Sequence, residues 1–141
     1  MISPGQLAND AIEVEQNILN ESVGVQDQIM AAYGGFRIIE MGKDTSWKVK
    51  NMLLPKEFIK HLEKYILMGY SGISRNAEQH AKNKVKNIRE GKITKELMAI
   101  KLIAQEGLQA FQKQATMEDI GKLLDQSWKY KRRLAKGVSS E

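Results

Sequence analysis

Residues 24–35 read GVQDQIMAAYGG, and this stretch decides how the rest of the chain is interpreted. Asp27 stands between two glutamines shortly after Gly24, and the pair Gly34 and Gly35 closes the stretch. Glycine adopts the positive φ angles that a tight turn needs, so the stretch predicts a short helix between two turns. An aspartate at a helix start is most often an N-cap, and this is the simplest role for Asp27.

A second carboxylate, Glu15, lies on a predicted helix upstream. Ser3 can cap this helix, and Pro4 suits its first position. Apolar residues then recur at helical spacing to about Leu19, and this places Glu15 at the edge of the apolar face. The side chain can therefore reach inward to a cleft, although the helical pattern alone favours a solvated glutamate. The apolar positions are Leu7, Ala11, Val14 and Ile18.

Two carboxylates, one on a helix and one at a glycine-rich turn, suit metal-assisted transfer onto a hydroxyl group. One carboxylate can hold a hard cation such as Mg²⁺ through oxygen. The other can orient the hydroxyl or accept its proton. The pair Glu15 and Asp27 is therefore the candidate catalytic site.

The remaining patterns predict an α+β fold, in which a small antiparallel sheet packs with several helices. Strands are predicted at 36–41, 46–52 and 65–70, with a turn at 42–44 between the first two. Trp47 and Val49 alternate with lysines, which is typical of an antiparallel strand with one wet face. A short helix is predicted to begin at Pro55, and the later part of the chain has apolar residues at helical spacing. The longer helices are predicted near 4–19, 75–90, 94–113 and 117–135.

The composition is that of an ordinary soluble globular chain, with 42% hydrophobic and 28% charged residues. Cysteine is absent from the sequence, which excludes disulfides and thiolate metal sites. The apolar runs are short and no signal peptide is recognised at the N-terminus, so no membrane association and a cytoplasmic location are expected. His61 and His80 lack the partners of a zinc site.

The net charge of +5 is distributed unevenly along the chain. Residues 1–45 hold two basic and seven acidic side chains, a net −5, whereas residues 46–141 carry +10. A basic run lies at 129–133, directly after Trp128, and it leaves a second, binding function open. In that alternative the chain is a non-catalytic helical module whose basic C-terminal helices bind an acidic partner or nucleic acid. Nucleic acid is the less expected partner, because a basic run at a helix C-terminus also complements the helix dipole.

Three ordered motifs resemble the GHMP small-molecule kinases, and most closely their heptose-phosphate kinase branch. The first joins EVE at 13–15 to GVQDQ and AYGGF within 24–36, where that branch has Gln-Asp-Gln and Tyr-Gly-Gly. The second, YSGISRNA at 70–77, is similar to its Thr-Gly-x-x-Arg-x-Ala segment. The third, LLDQSWKYK at 123–131 with GVS at 137–139, is similar to its Leu-Leu-x-x-Trp-x-x-Lys helix and the following Val-Ser. The resemblance covers nearly the whole chain.

The resemblance implies an ATP-dependent sugar kinase that uses Mg²⁺. In the matching branch the substrate is D-glycero-D-manno-heptose 7-phosphate, phosphorylated at its anomeric hydroxyl. Glu15 would bind Mg²⁺, and Asp27 would orient the hydroxyl or accept its proton. The residues implied in binding the sugar phosphate are Gly34, Gly35, Ser71, Gly72 and Arg75.

These kinases also carry a glycine- and serine-rich phosphate loop upstream of the matched region and a second glycine-rich motif near the C-terminus. Neither motif is found in the sequence, so the chain is expected to be a central fragment of such a kinase. Residues 1–35 would end its N-terminal domain, and 36–141 would lead into its C-terminal domain. Self-association, or association with the missing kinase segment, is expected for such a fragment.

Overall fold

The computed structural model describes residues 1–70, 72 and 85–135 of the chain. The chain divides into two compact units, Met1–Leu53 and Leu54–Glu141. The regular structure of the described residues consists of helices and one two-stranded antiparallel sheet, so the predicted α+β class is confirmed. None of the described helices is long and apolar enough to cross a membrane.

The first unit begins with helix α1, Pro4–Glu13, as the sequence predicts. The Ser3 side chain accepts a hydrogen bond of 3.1 Å from the Gln6 backbone N–H, so Ser3 is its N-cap. The helix continues directly as a π-helical segment, Val14–Ile18. A π-helical turn contains more residues than an α-helical turn, and it therefore rotates the side chains that follow it.

Helix α2, Gln26–Tyr33, packs against α1 and supplies the core of the first unit. Ala8 of α1 and Ile29 of α2 are both fully buried. The apolar stripe that predicts α1 is not its buried face, because Leu7, Val14 and Ile18 are 51%, 43% and 65% exposed. Small Ala8 faces inward instead, which allows the helices to approach closely.

The end of α2 is tied to the strand that follows it. Gly34 forms the C-cap with φ of 60°, a conformation that favours glycine. The Arg37 guanidinium donates to the carbonyl oxygens of Gly34 at 2.7 Å and Tyr33 at 3.2 Å. These carbonyls have no partner within the helix, so Arg37 satisfies them and adds a favourable charge at the negative end of the dipole.

Strands β1, Arg37–Met41, and β2, Trp47–Asn51, pair antiparallel with Ile39 opposite Val49. Trp47 and Val49 are half-buried while Lys48 and Lys50 are exposed, which confirms the predicted wet face. The Trp47 ring meets the Tyr33 ring edge to face at 6.1 Å and so joins the hairpin to α2.

The hairpin turn depends on a close approach around Gly42. A Cβ atom at Gly42 would lie 2.4 Å from Ser46 Oγ and 2.5 Å from Asp44 Oδ1, so only glycine fits without a shift. The Ser46 hydroxyl donates to Asp44 Oδ1 at 2.6 Å, and the Ser46 N–H donates to the same oxygen at 3.2 Å. These bonds stabilise the ionised carboxylate, and they lower the pKa of Asp44 from its ordinary value of 3.8.

The second unit contains helices α3, Lys56–Glu63, α4, Thr94–Gln112, and α5, Met117–Lys131. Residues 85–89 are also helical, whereas the earlier part of the helix predicted at 75–90 lies outside the described residues. Helix α5 ends four residues before the predicted boundary. Its N-terminus has the predicted Thr116 cap, which accepts from the Asp119 N–H at 3.1 Å.

Contacts between helices hold the second unit together. Helices α4 and α5 pack against each other, and Phe58 of α3 meets Phe111 of α4 edge to face at 6.3 Å. The Asn87 side-chain amide donates to the Leu134 carbonyl at 2.8 Å and so joins the 85–89 segment to the end of α5. Among the residues of this unit that the structure describes, the buried apolar ones are Ile93, Ile120, Leu134 and Ala135.

The predicted third strand at 65–70 is wrong. Residues 66–70 have no regular structure, and Leu67 and Met68 are 96% and 95% exposed. A strand needs hydrogen bonds from a neighbour, and the sheet formed by the described residues contains only β1 and β2. The apolar composition of this run therefore does not lead to burial.

Truncating Ile29 tests the core of the first unit. We expect Ile29→Ala to lower the free energy of unfolding by about 2–5 kcal/mol, because it removes buried methyl groups and leaves a cavity. Urea unfolding followed by Trp47 fluorescence in a Trp128→Phe background reports on this unit alone. Ile18→Ala, at a 65% exposed position, is the control and should change stability by less than about 0.5 kcal/mol. Equal losses of unfolding free energy in Ile29→Ala and Ile18→Ala would contradict a core that contains Ile29.

The lowered pKa of Asp44 predicts a pH dependence of the hairpin. A carboxyl pKa that is lower in the folded chain contributes stability above pH 3.8, and the contribution is lost as the pH falls through the folded pKa. An NMR titration should find the Asp44 midpoint below 3.8 and should find it raised in Ser46→Ala. A midpoint that does not move in the variant would show that Ser46 is not the cause.

Candidate functional site

The first unit contains a cleft of about 410 Å³ between α1 with its π-helical extension and α2. We call it the carboxylate cleft, because both carboxylates of the predicted pair line it. The walls are mostly apolar, so polar groups are concentrated at one place. The lining residues are Leu7, Ala11, Glu15, Asp27, Gln28, Ala31 and Ala32.

Glu15 comes from the π-helical segment and is half-buried. The Gln28 side-chain amide donates a hydrogen bond to Glu15 Oε2 across the cleft. The Glu15 backbone carbonyl also accepts from the Glu21 N–H at 2.9 Å, which anchors the chain where it leaves the helix. Glu15 is therefore held from both its backbone and its side chain.

Asp27 is the second residue of α2 and is exposed. It is not the N-cap, because Val25 occupies that position and makes no side-chain cap bond. A carboxylate in the first turn is favoured by the positive end of the helix dipole. Its position leaves the carboxylate accessible to a molecule in the cleft.

Glu15 and Asp27 are the two acidic residues of the cleft lining, and a carboxylate can bind a hard cation or accept a proton from a hydroxyl group. Magnesium is usually bound by one or two carboxylates together with substrate phosphates, rather than by a full set of protein ligands. Among the residues that the structure describes, no group of three or more His, Cys, Asp or Glu could hold a metal ion. A cation held by Glu15 would therefore need its remaining ligands from water or substrate phosphates.

The predicted substrate-binding residues are not all brought to this cleft. Gly34 and Gly35 lie at the opposite end of α2, roughly 10 Å from Asp27 at 1.5 Å per residue. Gly72 is exposed with φ of 70° and belongs to the second unit. Ser71 and Arg75 lie outside the described residues.

Two side chains had no role in the sequence interpretation, Gln28 in the cleft and Arg37 at the far end of α2. Gln28 was part of the quoted motif, but nothing in its spacing indicates that it contacts Glu15. Arg37 could have been found from sequence, because a basic residue soon after a helix end often binds the last carbonyls. The Gln28 contact depends on the packing of two helices and has no local signal.

A second hollow, the α4–α5 groove, lies in the second unit and has a volume of about 470 Å³. Its charges are mixed, since Glu106 lies in it with Lys129 and Arg133. Lys129 Nζ is 2.6 Å from the Asp125 carboxylate, and the Arg133 guanidinium lies over the Tyr130 ring at 5.4 Å. The other lining residues are Ala99, Leu102, Ile103 and Gln126.

No model of a known protein family matches this chain. A curated relative is the D-glycero-alpha-D-manno-heptose 7-phosphate kinase of Campylobacter jejuni, which is 26% identical over 141 residues. The alignment covers 96% of this chain but only 40% of that kinase, so the chain spans less than half the length of the relative. The similarity supports a relation to a heptose-phosphate kinase.

Proposed function

We propose that this chain is the central part of an ATP-dependent sugar kinase of the GHMP type, acting on a heptose phosphate. The observation that carries the proposal is that Glu15 and Asp27, 12 positions apart in sequence, line one cleft. The similarity to a kinase that is named for this substrate class supports it.

In the proposed reaction Asp27 orients the anomeric hydroxyl of the sugar and accepts its proton. The hydroxyl oxygen forms a bond to the γ-phosphorus of ATP, and the bond from that phosphorus to the bridging oxygen breaks to release ADP. Glu15 would hold Mg²⁺ through a carboxylate oxygen, and the ion would supply positive charge to the phosphates. Exposure of Asp27 beside apolar walls allows a hydroxyl to approach the carboxylate.

The remaining residues have proposed roles in holding the sugar phosphate. Gly34 and Gly35 expose backbone at the end of α2, and their positive φ angles of 60° and 69° make substitution costly. Ser71, Gly72 and Arg75 would supply a hydroxyl, a backbone amide and a guanidinium for the phosphate group. In the larger kinase, residues 1–35 would end the N-terminal domain, and residues 36–141 would lead into the C-terminal domain.

Activity assays with the two carboxylate variants test the proposal. Phosphorylation of D-glycero-D-manno-heptose 7-phosphate should be measured with this chain supplied with a kinase phosphate-loop segment. We expect Asp27→Asn to lower the rate about 10²- to 10⁴-fold, because a positioned base contributes that much. We expect Glu15→Gln to raise the Mg²⁺ concentration needed for half-maximal rate.

Two matched controls separate these effects from the general effect of neutralising a carboxylate in this unit. Glu13→Gln changes the same functional group two residues away, where the carboxylate accepts from Asn17 at 2.5 Å. Asp10→Asn does the same for aspartate, at an exposed position bonded to Gln6. Both controls should retain full activity. Activity that survives Asp27→Asn would remove Asp27 from the mechanism.

The alternative function, binding of an acidic partner or nucleic acid, is supported by the basic side chains of α5. The α4–α5 groove argues against it as the main role, because Lys129 is already paired and Glu106 is acidic. Salt-dependent binding of the chain to generic DNA or RNA, unaffected by Asp27→Asn, would favour the alternative. We expect no such binding at physiological salt.

Self-association is also proposed, because apolar side chains at 65–70 are exposed. Light scattering at high concentration should detect dimers or larger species, and Leu67→Gln with Met68→Gln should reduce them. Leu124→Gln is the control, since Leu124 is also exposed, at 67%, but lies on α5. A monomer at every concentration would contradict this prediction.

A further inference from the structure

Gln28 is the residue of the carboxylate cleft whose contacts the proposed chemistry does not yet explain. Its side-chain nitrogen donates to Glu15 Oε2, and this bond spans 13 positions of sequence. Its side-chain oxygen, Oε1, is buried and has no hydrogen-bond partner among the described residues. The amide is therefore held through its nitrogen alone.

The unequal use of the two amide atoms fixes the orientation of Gln28. A carboxylate oxygen accepts hydrogen bonds and cannot donate when ionised, so it pairs with the NH₂ group and repels the amide oxygen. Rotating the amide by half a turn would place two acceptors against each other. The cleft thus requires a donor from residue 28, and nothing in the described residues requires its acceptor.

We propose that Gln28 is a positioning residue that holds the Glu15 carboxylate and leaves Oε1 of Glu15 for the cation. This inference rests on the proposed function, in which Glu15 binds Mg²⁺. Partners that hold a metal ligand in place usually matter nearly as much as the ligand, and their loss weakens metal binding about 10- to 100-fold.

A substitution at Gln28 can distinguish a role in positioning Glu15 from a role in folding stability. Gln28→Met keeps an unbranched side chain of similar length and removes both the donor and the buried unpaired oxygen. Removing an unpaired buried acceptor favours the folded state, and the half-buried Glu15 regains water, so folding stability should change little. The substitution should therefore change only the position of the Glu15 carboxylate.

The chain contains a matched control in the same motif. Gln26 flanks Asp27 on its other side, is exposed, and does not line the cleft. Gln26→Met therefore makes the same chemical change one residue from Asp27 without touching the Glu15 contact. A difference between the two variants must come from the position of the amide.

The experiment uses the 141-residue chain with Mn²⁺ and ATP together as the probe, because a cation at Glu15 needs further ligands from phosphate oxygens. We expect the ¹³C resonance of the Glu15 carboxyl to shift in Gln28→Met and to stay in Gln26→Met. The Mn²⁺ concentration that half-broadens the Glu15 amide signal should rise about tenfold in Gln28→Met and remain unchanged in the control. The thermal midpoint should be similar in all three proteins.

The outcomes distinguish this inference from the proposed function. An unmoved Glu15 carboxyl resonance, or an unchanged Mn²⁺ requirement, in Gln28→Met would overturn the role of Gln28 and leave the kinase proposal standing. Loss of stability with unchanged Mn²⁺ binding would assign Gln28 a structural role instead. If Mn²⁺ fails to broaden Glu15 in the unsubstituted chain, the cation role of Glu15 is overturned, and the metal-positioning role of Gln28 with it.

Discussion

The packing of α1 and its π-helical extension against α2 is the interaction on which the candidate site depends. Ala8 and Ile29, both fully buried, lie on the two helices that make this contact. Close approach of the helices is what allows the Gln28 amide to reach Glu15. Glu15 and Asp27 lie on different helical segments, so without that packing they would be two separate surface carboxylates.

Glu15 lies in the π-helical segment that continues α1. In a regular α-helix the residues Leu7, Val14 and Ile18 would share one apolar face, yet all three are largely exposed here. The wider turn at Val14–Ile18 changes the phase of the side chains after Glu13. Single π-helical turns are frequent at functional sites, and here the turn carries the proposed cation ligand.

The two ends of α2 are used differently, which follows from the asymmetry of a helix. The N-terminal end, with its free N–H groups, carries Asp27, whose negative charge it favours. The C-terminal end, with its free carbonyls, is closed by Gly34 and by the Arg37 guanidinium. Arg37 begins β1, so the same side chain joins the helix to the hairpin and limits the freedom of the glycine turn.

Local signals were sufficient for most of the elements. Caps at Ser3 and Thr116, the β1–β2 hairpin with its alternating lysines, and the helices from Lys56 onward follow from short-range patterns. The run at 65–70 shows the limit of such patterns. An apolar, strand-like sequence specifies the capacity to pair, but pairing needs a neighbour, which no local pattern supplies.

The sequence by itself determined that one carboxylate lies on a helix and another at a glycine-rich turn of an α+β chain, because residue identity, caps and periodicity are local properties. Only the tertiary structure decided that Glu15 and Asp27 share a cleft and that Gln28 binds Glu15. Those relations depend on how two helices pack and on a change of helical phase. Both arise from contacts between residues distant in sequence, which a pattern along the chain does not contain.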